Sequence, residues 1–349
     1  MGLDRLIGFD PQLLYEMFWT AINIFILFFG LSYLLFNPVR DMLEKRKQKI
    51  AGELADAAND KKSAAEMKAE YEQKLKEVSK EADAILIGAS NGFSISEGLH
   101  IFADNQAFEE IFGDFKRTYG IRNILSGLFA DWPSEEVKWA FLSRLIHHYS
   151  IGYTGSPNTE ALKTLIGDKP YFFVTSNGEN HFELAGFSPD CIWEIEGSWK
   201  EMQCEQGCHD TLYPLFPLIP EMAASEKNMK IPSELVPRCP KCGGTMGGHS
   251  PQRYMTAADR EIQRRFQNFV QKYHGKKLVV LELGIGWRNQ LIKAPLMNLV
   301  KKEPYAAYIT INKGEIYIPD EIAAKSYGLD GDMTEILERL KEALEERNQ

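Results

Sequence analysis

Few cysteines and an excess of acidic residues limit the classes of protein that this sequence can encode. The 349 residues include five cysteines, and the net charge is -9 at neutral pH. A small, odd number of cysteines does not support a disulfide framework, and two close pairs among them are typical of metal binding in a reducing compartment. The acidic balance gives the chain no electrostatic basis for binding nucleic acid, so we expect no nucleic-acid partner.

One stretch lacks charged side chains altogether. Residues 18–36, FWTAINIFILFFGLSYLLF, are uncharged over nineteen positions. As a helix they would span about 28 Å, close to the roughly 30 Å of a bilayer core. A transmembrane helix is favoured over a cleaved signal peptide, because acidic residues precede the stretch and no small-residue cleavage site follows it. By the positive-inside rule, the basic residues that follow predict a single-pass cell-membrane protein with its N-terminus outside and the remainder cytoplasmic. They are Arg40, Lys45, Arg46, Lys47 and Lys49.

The segment 40–83 lacks proline and contains one glycine, and Ala, Glu and Lys dominate it. This composition predicts a charged stalk helix. Leu43, Leu54 and Ala65 recur at intervals of eleven residues, which favours a right-handed supercoil with a second helix. The alternative is a single solvated helix held by ion pairs between residues four apart.

The rest of the chain alternates apolar strands with helical segments. The near-continuous apolar character of the strands predicts a parallel sheet buried on both faces. We therefore predict an α/β fold, a Rossmann-like doubly wound parallel sheet, preceded by one transmembrane helix and a long stalk helix. The tail is expected to be a solvated amphipathic helix. The strands are AILIGAS (84–90), YFFVTS (171–176), CIWEIE (191–196), KLVVLELG (277–284) and YAAYITIN (305–312).

These patterns predict four regions. They are an N-terminal segment with the transmembrane helix (1–39), a charged stalk helix (40–83), a ligand-binding α/β domain (84–330) and a C-terminal helix (331–349).

Two close cysteine pairs are the strongest local signal. Cys204 and Cys208 are separated by three residues, and Cys239 and Cys242 by two. Four thiolates occupy every coordination position of a tetrahedral zinc ion. The pairs therefore predict a structural zinc site in an inserted, zinc-ribbon-like module at about residues 200–250. His209 is an alternative fourth ligand.

Glycines and short polar residues follow several of the predicted strands. The carboxyl ends of parallel strands open on one crevice, where open α/β sheets bind ligands. A glycine-containing turn between a strand and a helix presents backbone N–H groups to a pyrophosphate. The candidate ligand-binding residues at these strand ends are Gly88, Ala89, Ser90, Gly92, Ser176, Asn177, Glu179, Glu196, Gly284, Gly286 and Asn312.

The N-terminal part resembles the bacterial ATP synthase b subunit over roughly residues 8–84. The marks of the resemblance are the single span, the sequence Phe36-Asn37-Pro38-Val39-Arg40 and the basic run that opens the stalk. The resemblance implies a dimeric peripheral stalk that contacts other F0 subunits. The distal stalk, which in that family docks onto the catalytic head, has no counterpart here.

From about residue 70 or 80 to about 330 the chain resembles a sirtuin. The resemblance rests on GASNGFSISEGL, TSNGENHFELAG, EIEGSW, the four cysteines, ELGIG and ITIN, which occur in the family's order. It implies NAD and structural zinc as cofactors. The residues implied to contact NAD are Gly88, Ala89, Ser90, Gly92, Ser176, Asn177, Glu179, Gly284, Gly286 and Asn312.

Two residues differ from the sirtuins that act as deacylases, and these differences indicate a subgroup of the family. The position of the family's catalytic histidine holds Glu196, and Ser176 replaces its glutamine. These changes are similar to the class M, macrodomain-linked bacterial sirtuins, whose N-x-[DE]-N-x-F loop matches Asn177, Glu179, Asn180 and Phe182. That resemblance implies ADP-ribosyl transfer to a protein, with a lipoylated H-protein-like carrier as acceptor and a macrodomain hydrolase as partner.

We assign catalytic roles to Asn177, Glu179 and Glu196. Asn177 is expected to orient the ribose or the acceptor, and Glu179 to contact the nicotinamide carboxamide. Because positive charge develops on the ribose when the nicotinamide bond breaks, the carboxylate of Glu196 would stabilise that charge. Three alternatives remain open: a stalk subunit with a passive C-terminal domain, an NAD-dependent deacylase, and two reading frames joined at EADAIL.

Overall fold

The computed structural model describes residues 11–36, 39–40, 42–53, 77–78 and 80–345. The chain divides into two compact units, residues 1–69 and 70–349, which we describe separately. Most of the predicted stalk helix lies outside the described residues, although residues 42–53 are helical. The predicted eleven-residue repeat, which depends on Leu54 and Ala65, also lies outside them.

The first unit contains one long apolar helix among its described residues. Helix α1 runs from Pro11 to Leu31 and continues as a π-helical turn through Phe36. Pro11 suits the first turn of a helix because its missing N–H has no partner there anyway. The residues from Pro11 to Leu34 are long and apolar enough to cross a membrane, and none of the most apolar window is buried by other parts of the chain. Phe25 and Leu27, for example, are each 65% exposed.

From residue 84 onward, the described part of the second unit contains nine strands and ten helices. The strands are β1 (Ala84–Ala89), β2 (Tyr171–Thr175), β3 (Ile192–Glu194), β4 (Glu201–Cys204), β5 (Tyr213–Pro214), β6 (Met246–Gly248), β7 (Leu278–Leu283), β8 (Ala307–Asn312) and β9 (Ser326–Asp330). The helices are α2 (Asn91–Ser96), α3 (Gln106–Tyr119), α4 (Ile124–Leu128), α5 (Glu135–Ile146, extended by a π-turn at His147–Ile151), α6 (Pro157–Ile166), α7 (His181–Leu184), α8 (Ile219–Ser225), α9 (Ala257–Lys272), α10 (Gln290–Lys302) and α11 (Met333–Glu345). Short 3-10 turns lie at Pro189–Cys191, Phe216–Leu218, Ser233–Leu235 and Asp320–Lys325.

Six of the strands form the main sheet in the order β3-β2-β1-β7-β8-β9. Every neighbouring pair is parallel. All six residues of β1 and all six of β7 are buried, which explains their continuous apolar sequence. The doubly wound α/β prediction is confirmed. The strand order reverses between β1 and β7, and this is the point at which such sheets bind ligands.

Helices cover both faces of the main sheet. One face carries a core that includes Leu162 and Leu165 of α6 together with Ile336 and Leu340 of α11. The opposite face carries α10, whose Ile292, Leu296 and Val300 are buried, and it is flanked by α9. The expectation of a solvated tail is therefore wrong for one side of that helix, because the apolar face of α11 belongs to the core.

A second, smaller sheet lies in the insertion between β3 and β7. Its antiparallel order is β5-β4-β6. Met202, Cys204 and Met246 of this sheet share a core with Phe112 of α3 and Phe141 of α5. The inserted module and the helical segment that precedes β2 in the chain thus pack as one layer.

Candidate active site and metal centre

The carboxyl ends of β1, β2 and β7 lie side by side. Ala89 is in register with Thr175 on one side and with Leu283 on the other. The next residue of each strand is therefore Ser90, Ser176 or Gly284, and the three meet at one edge. The structure brings these predicted residues together because the strands end at the same level.

Two hydroxyls and two amides form the centre of this edge. Ser90 Oγ lies 2.8 Å from Ser176 Oγ, and the Asn289 amide donates to both hydroxyls at 3.0 Å. The Asn177 amide donates to the Ser90 carbonyl at 3.1 Å. Asn289 was not predicted from the sequence. It lies six residues beyond the end of β7, where spacing alone does not distinguish it from an ordinary helix start.

Two glycines allow the first and third loops of this edge to touch. The Gly92 N–H donates to the Gly284 carbonyl at 3.0 Å. A Cβ atom at Gly92 would lie 2.6 Å from both the Cα and the carbonyl oxygen of Gly284, and Gly284 has a φ of +61°. Glycine is therefore required at both positions by close backbone approach.

Three other predicted residues, Gly88, Gly286 and Asn312, lie away from the cluster of Ser90 and Ser176. A Cβ at Gly88 would lie 2.3 Å from Leu296 Cδ1, so this glycine makes room for α10 within the core. The Asn312 amide lies 3.4 Å from the Ile285 carbonyl and 3.3 Å from that of Glu315. Gly286 faces the Glu315 carboxylate across this same corner. Asn312 thereby connects the end of β8 to the turn after β7.

The loop after β2 is buried against α2. Asn177 is 5% exposed and Glu179 is 4% exposed. The Glu179 carboxylate accepts a hydrogen bond from Ser94 at 2.5 Å. Burial raises the pKa of Glu179, against the opposing effects of the His181 charge and the Ser94 hydroxyl. Asn177 Oδ1 is buried and has no hydrogen-bond partner among the described residues.

His181 is a structural residue rather than a free base. Its Nδ1 lies 2.6 Å from the Glu97 carboxylate, its Nε2 lies 2.8 Å from the Tyr149 carbonyl, and its ring stacks on Tyr153 at 3.9 Å. Burial alone would lower the pKa of His181, but the hydrogen bond to Glu97 and the nearby carboxylate of Glu179 raise it. Both ring nitrogens are thus engaged.

Two carboxylates lie at the end of β3. Glu196 follows the strand with much of its side chain exposed, yet partial burial by its surroundings raises the pKa of this carboxyl. Burial raises the pKa of Glu194 much further, and its carboxylate accepts a hydrogen bond from Asn180 at 2.7 Å. Glu194 was not predicted, although alternation along the strand would have placed it on the same side as Glu196.

The four predicted cysteines form one cluster. Their sulfur atoms all lie within 4.8 Å of one another. The Cys204–Cys242 and Cys208–Cys239 sulfur distances are each 3.6 Å. A tetrahedral zinc ion with Zn–S bonds of about 2.3 Å sets sulfurs about 3.8 Å apart, so the cluster has the dimensions of a closed zinc site. Cys191 lies outside it.

His209 lies beside this cluster. Its Nδ1 is 2.9 Å from Cys208 Sγ and 4.0 Å from Cys239 Sγ, and its Nε2 is 2.9 Å from the Tyr213 hydroxyl. With four sulfurs already within reach of one ion, His209 is placed to donate to a thiolate rather than to replace one.

The main sheet and its insertion define the class of protein. A crystal structure of a Sir2 homologue in complex with NAD superimposes with a TM-score of 0.54 at 16% identity, covering 79% of this chain and 95% of that one. An ADP-ribose complex of a Sir2 homologue serine variant gives a TM-score of 0.51 at 15% identity, covering 79% and 97%. The second unit therefore has the sirtuin fold.

A relative from Staphylococcus aureus, a protein ADP-ribosyltransferase, is 32% identical over 265 residues, covering 74% of this chain and 82% of the relative. The chain belongs to the sirtuin-type protein ADP-ribosyltransferases.

The N-terminal region resembles a different family. The family model for the ATP synthase B/B′ subunit of CF(0) matches residues 16–93. The b subunit of Lachnoclostridium phytofermentans is 48% identical over 84 residues. The chain spans 45% of the length of that relative. The b-like segment is thus joined in one chain to a sirtuin-type transferase.

Proposed function

We propose that this protein transfers ADP-ribose from NAD to a protein acceptor and is held at the membrane by its N-terminal helix. The observation that carries the proposal is the polar cluster of Ser90, Ser176, Asn177 and Asn289 at the point where the strand order reverses. A ligand at that edge of a doubly wound sheet contacts the loops that follow the strands.

The residues present suit NAD. The Gly92–Gly284 contact leaves no side chain between the first and third loops, which keeps the Ser90 turn open to a pyrophosphate. The buried, unpartnered Asn177 Oδ1 offers an acceptor for a ribose hydroxyl or an acceptor group. NAD, when bound, supplies the ADP-ribosyl group and a neutral nicotinamide leaving group.

Three side chains of the protein have separate roles in the proposed reaction. Asn177 orients the ribose or the attacking acceptor, since its amide is fixed by the Ser90 carbonyl. Glu179 lies deeper, bonded to Ser94, where a carboxyl of raised pKa would contact the nicotinamide amide group. Glu196 would stabilise the positive charge that develops on the ribose, as carboxylates do in glycoside cleavage.

The zinc centre has a structural role in this proposal. Its four thiolates leave no open position, so zinc would hold β4 and the loop before β6 in place rather than take part in the reaction. Cys204, Cys208, Cys239 and Cys242 would be the ligands.

The acceptor follows from the family resemblance rather than from a surface of this chain. We propose a lipoylated carrier related to the glycine-cleavage H protein, with a macrodomain hydrolase removing the modification. We also propose that the transferase domain lies on the cytoplasmic side, because the basic residues follow the apolar helix directly.

Labelled NAD tests the proposed activity. The full chain in detergent is incubated with adenylate-labelled NAD and a lipoylated carrier protein, and label on protein is measured. Transfer to protein is expected, with Glu196→Ala slower than the parent. Glu135→Ala is the matched control, since Glu135 forms an ion pair with Lys138 on α5, outside the predicted site. If Glu196→Ala cleaves NAD as fast as the parent, Glu196 is not part of the mechanism.

A second candidate function is that of an ATP synthase b subunit with an appended domain. The 48% identity over 84 residues favours it. In that case the N-terminal helix would form a homodimer and contact other F0 subunits. Co-purification of the full chain with the rotor ring and catalytic head would support this function, and a chain that purifies free of both would exclude it.

NAD-dependent deacylation by the same domain is the third candidate. The position that holds a histidine in deacylases is Glu196 here, so deacylation lacks its usual base at that position. Release of O-acyl-ADP-ribose from an acylated peptide would identify deacylation, whereas label on protein identifies transfer.

A further inference from the structure

A buried ion pair lies beneath the first turn of α10. Lys293 Nζ is 2.5 Å from Glu282 Oε1, and the two side chains are 1% and 0% exposed. Glu282 lies one residue before the end of β7, and Lys293 is the fourth residue of α10. Ile292 and Leu296 of the same helix belong to the apolar core of this face. Apolar side chains in place of a buried ion pair often stabilise a fold equally well, so stability alone does not explain the two charges.

Two hydroxyls of the neighbouring strand complete the pair. Thr310 donates to Glu282 Oε1 at 3.0 Å, and Tyr308 donates to Glu282 Oε2. Both residues lie on β8 and are fully buried. Burial and the Glu282 carboxylate raise the pKa of Tyr308, so its hydroxyl stays protonated and remains a donor. The sheet therefore holds the carboxylate in one orientation, and Lys293 attaches the start of the helix to it.

Lys293 lies one helical turn from Asn289. The Lys293 N–H donates to the Asn289 carbonyl at 3.3 Å, and Asn289 immediately precedes α10. The Asn289 side chain makes no capping hydrogen bond to its own helix. Its amide donates to the hydroxyls of Ser90 and Ser176. The position of the helix start thus determines whether the amide reaches both serines.

The Asn289 amide determines what the two serine hydroxyls can offer a ligand. A hydroxyl has one hydrogen to donate and two lone pairs. Both serine oxygens accept from the amide, and one of them donates to the other across 2.8 Å. The second hydroxyl hydrogen has no acceptor among the described residues, so it is available to a ligand oxygen. An anionic oxygen, such as that of a pyrophosphate, makes the stronger hydrogen bond to such a donor.

We propose that Lys293 and Glu282 are positioning residues for Asn289, and that through it they keep one serine hydroxyl directed at a bound pyrophosphate. The proposal rests on the function proposed above, which supplies NAD as the ligand. Neither charged side chain touches the ligand, since both are buried beneath the helix. Their effect is to fix the start of α10, because binding groups need to be held within about 0.5 Å of their working geometry.

The rest of α10 has its own attachment to the sheet. Ile292, Leu296 and Val300 are buried in the core along the length of the helix. Replacement of the ion pair should therefore leave the helix folded on the sheet and loosen its first turn. A pair with a structural role alone would change the Tm without changing the dependence of NAD binding on Asn289.

The test replaces both charges together. Lys293→Met combined with Glu282→Gln leaves no unpaired charge in the core. NAD binding by the full chain in detergent is measured by calorimetry, and nicotinamide release gives KM and kcat. We expect Kd and KM for NAD to rise about 10-fold, as for the loss of one hydrogen bond to a charged group, with a smaller change in kcat. Lys301→Met is the matched control on the same helix, because Lys301 is exposed and pairs with Glu321 at the surface.

A double-mutant cycle with Asn289 separates positioning from structure. Asn289→Ala alone should weaken NAD binding by about the same factor as the paired variant, and the two changes combined should weaken it no further. Asn289→Asp should weaken binding more, because a carboxylate would accept the hydroxyl hydrogens and repel the phosphates. If the separate losses multiply in the combined variant, the pair acts independently of Asn289 and the proposal is refuted.

Glu282→Gln alone is the second variant, for the case in which the paired variant does not fold. It keeps the size of the side chain and an oxygen for the hydroxyl donors of β8, but it removes the charge that holds Lys293. We expect a rise of several-fold in Kd for NAD that disappears in the Asn289→Ala background. A parental Kd for this variant would refute the positioning role.

The outcomes separate this proposal from the proposed function. If the parent binds and cleaves NAD and the paired variant keeps the parental Kd and KM, the role of Lys293 and Glu282 is refuted while the proposed function stands. A parent that binds NAD without cleaving it would overturn the transfer function alone, because the affinities still decide the role of the pair. If the parent does not bind NAD, both proposals fail.

Discussion

The contact between Gly92 and Gly284 permits a sharp prediction. In Gly92→Ala the new Cβ would lie 2.6 Å from two backbone atoms of Gly284, and neither can rotate away as a side chain could. One loop must therefore shift. Overpacking of this kind costs about 1–3 kcal/mol. For a domain of this size each kcal/mol lowers the Tm by about 2–4 °C. A shift of the Ser90 turn should also weaken NAD binding.

Thermal unfolding and NAD binding of the full chain in detergent measure both effects. Gly248→Ala is the matched control, because a Cβ at Gly248 would have no atom within 4 Å and this glycine is not among the residues predicted to contact NAD. We expect the control to unfold within about 1 °C of the parent, consistent with a small cost. A Gly92→Ala protein with the parental Tm and parental NAD affinity would refute the reasoning.

Three further outcomes are expected. Leu337→Ala in α11 should lower the free energy of unfolding by about 2–5 kcal/mol, because this side chain is fully buried, whereas exposed Glu338→Ala should change it little. Cys204→Ser should abolish binding of one zinc ion per chain by elemental analysis and lower the Tm; a parent without zinc would contradict this. Burial raises the pKa of Glu194 well above 4.5, so its protonated form is favoured on folding. Stability from this group is complete below about pH 4.5 and is lost as pH rises through the folded pKa. Glu194→Gln should therefore lose less stability than the parent over that range in denaturant titrations, and an unchanged pH dependence would contradict this.

The main sheet could be predicted from the sequence because strands that are buried on both faces need apolar residues throughout. The five strands read from the sequence are apolar where both faces are covered, as in β1 and β7. The sixth strand, β9, was not predicted because Ser326, Gly328 and Asp330 interrupt its apolar pattern at the sheet edge. The burial of one face of α11 was not foreseen because an amphipathic pattern does not state what covers the apolar side.

The residues of the site that directly follow strands could be predicted from the sequence. Ser90, Ser176 and Gly284 meet because parallel strands end together. Asn289 was not found in this way, because it reaches the site from the start of a helix. Such contacts depend on how separate segments pack, and no local spacing encodes that packing.

The central claim is that the second unit transfers ADP-ribose to protein. The most direct measurement incubates the full chain with adenylate-labelled NAD and a lipoylated carrier protein, and then separates labelled protein from small molecules. We predict label on the carrier, together with release of one nicotinamide for each label transferred. Nicotinamide release with all label in O-acyl-ADP-ribose, or no cleavage of NAD at all, would contradict the claim.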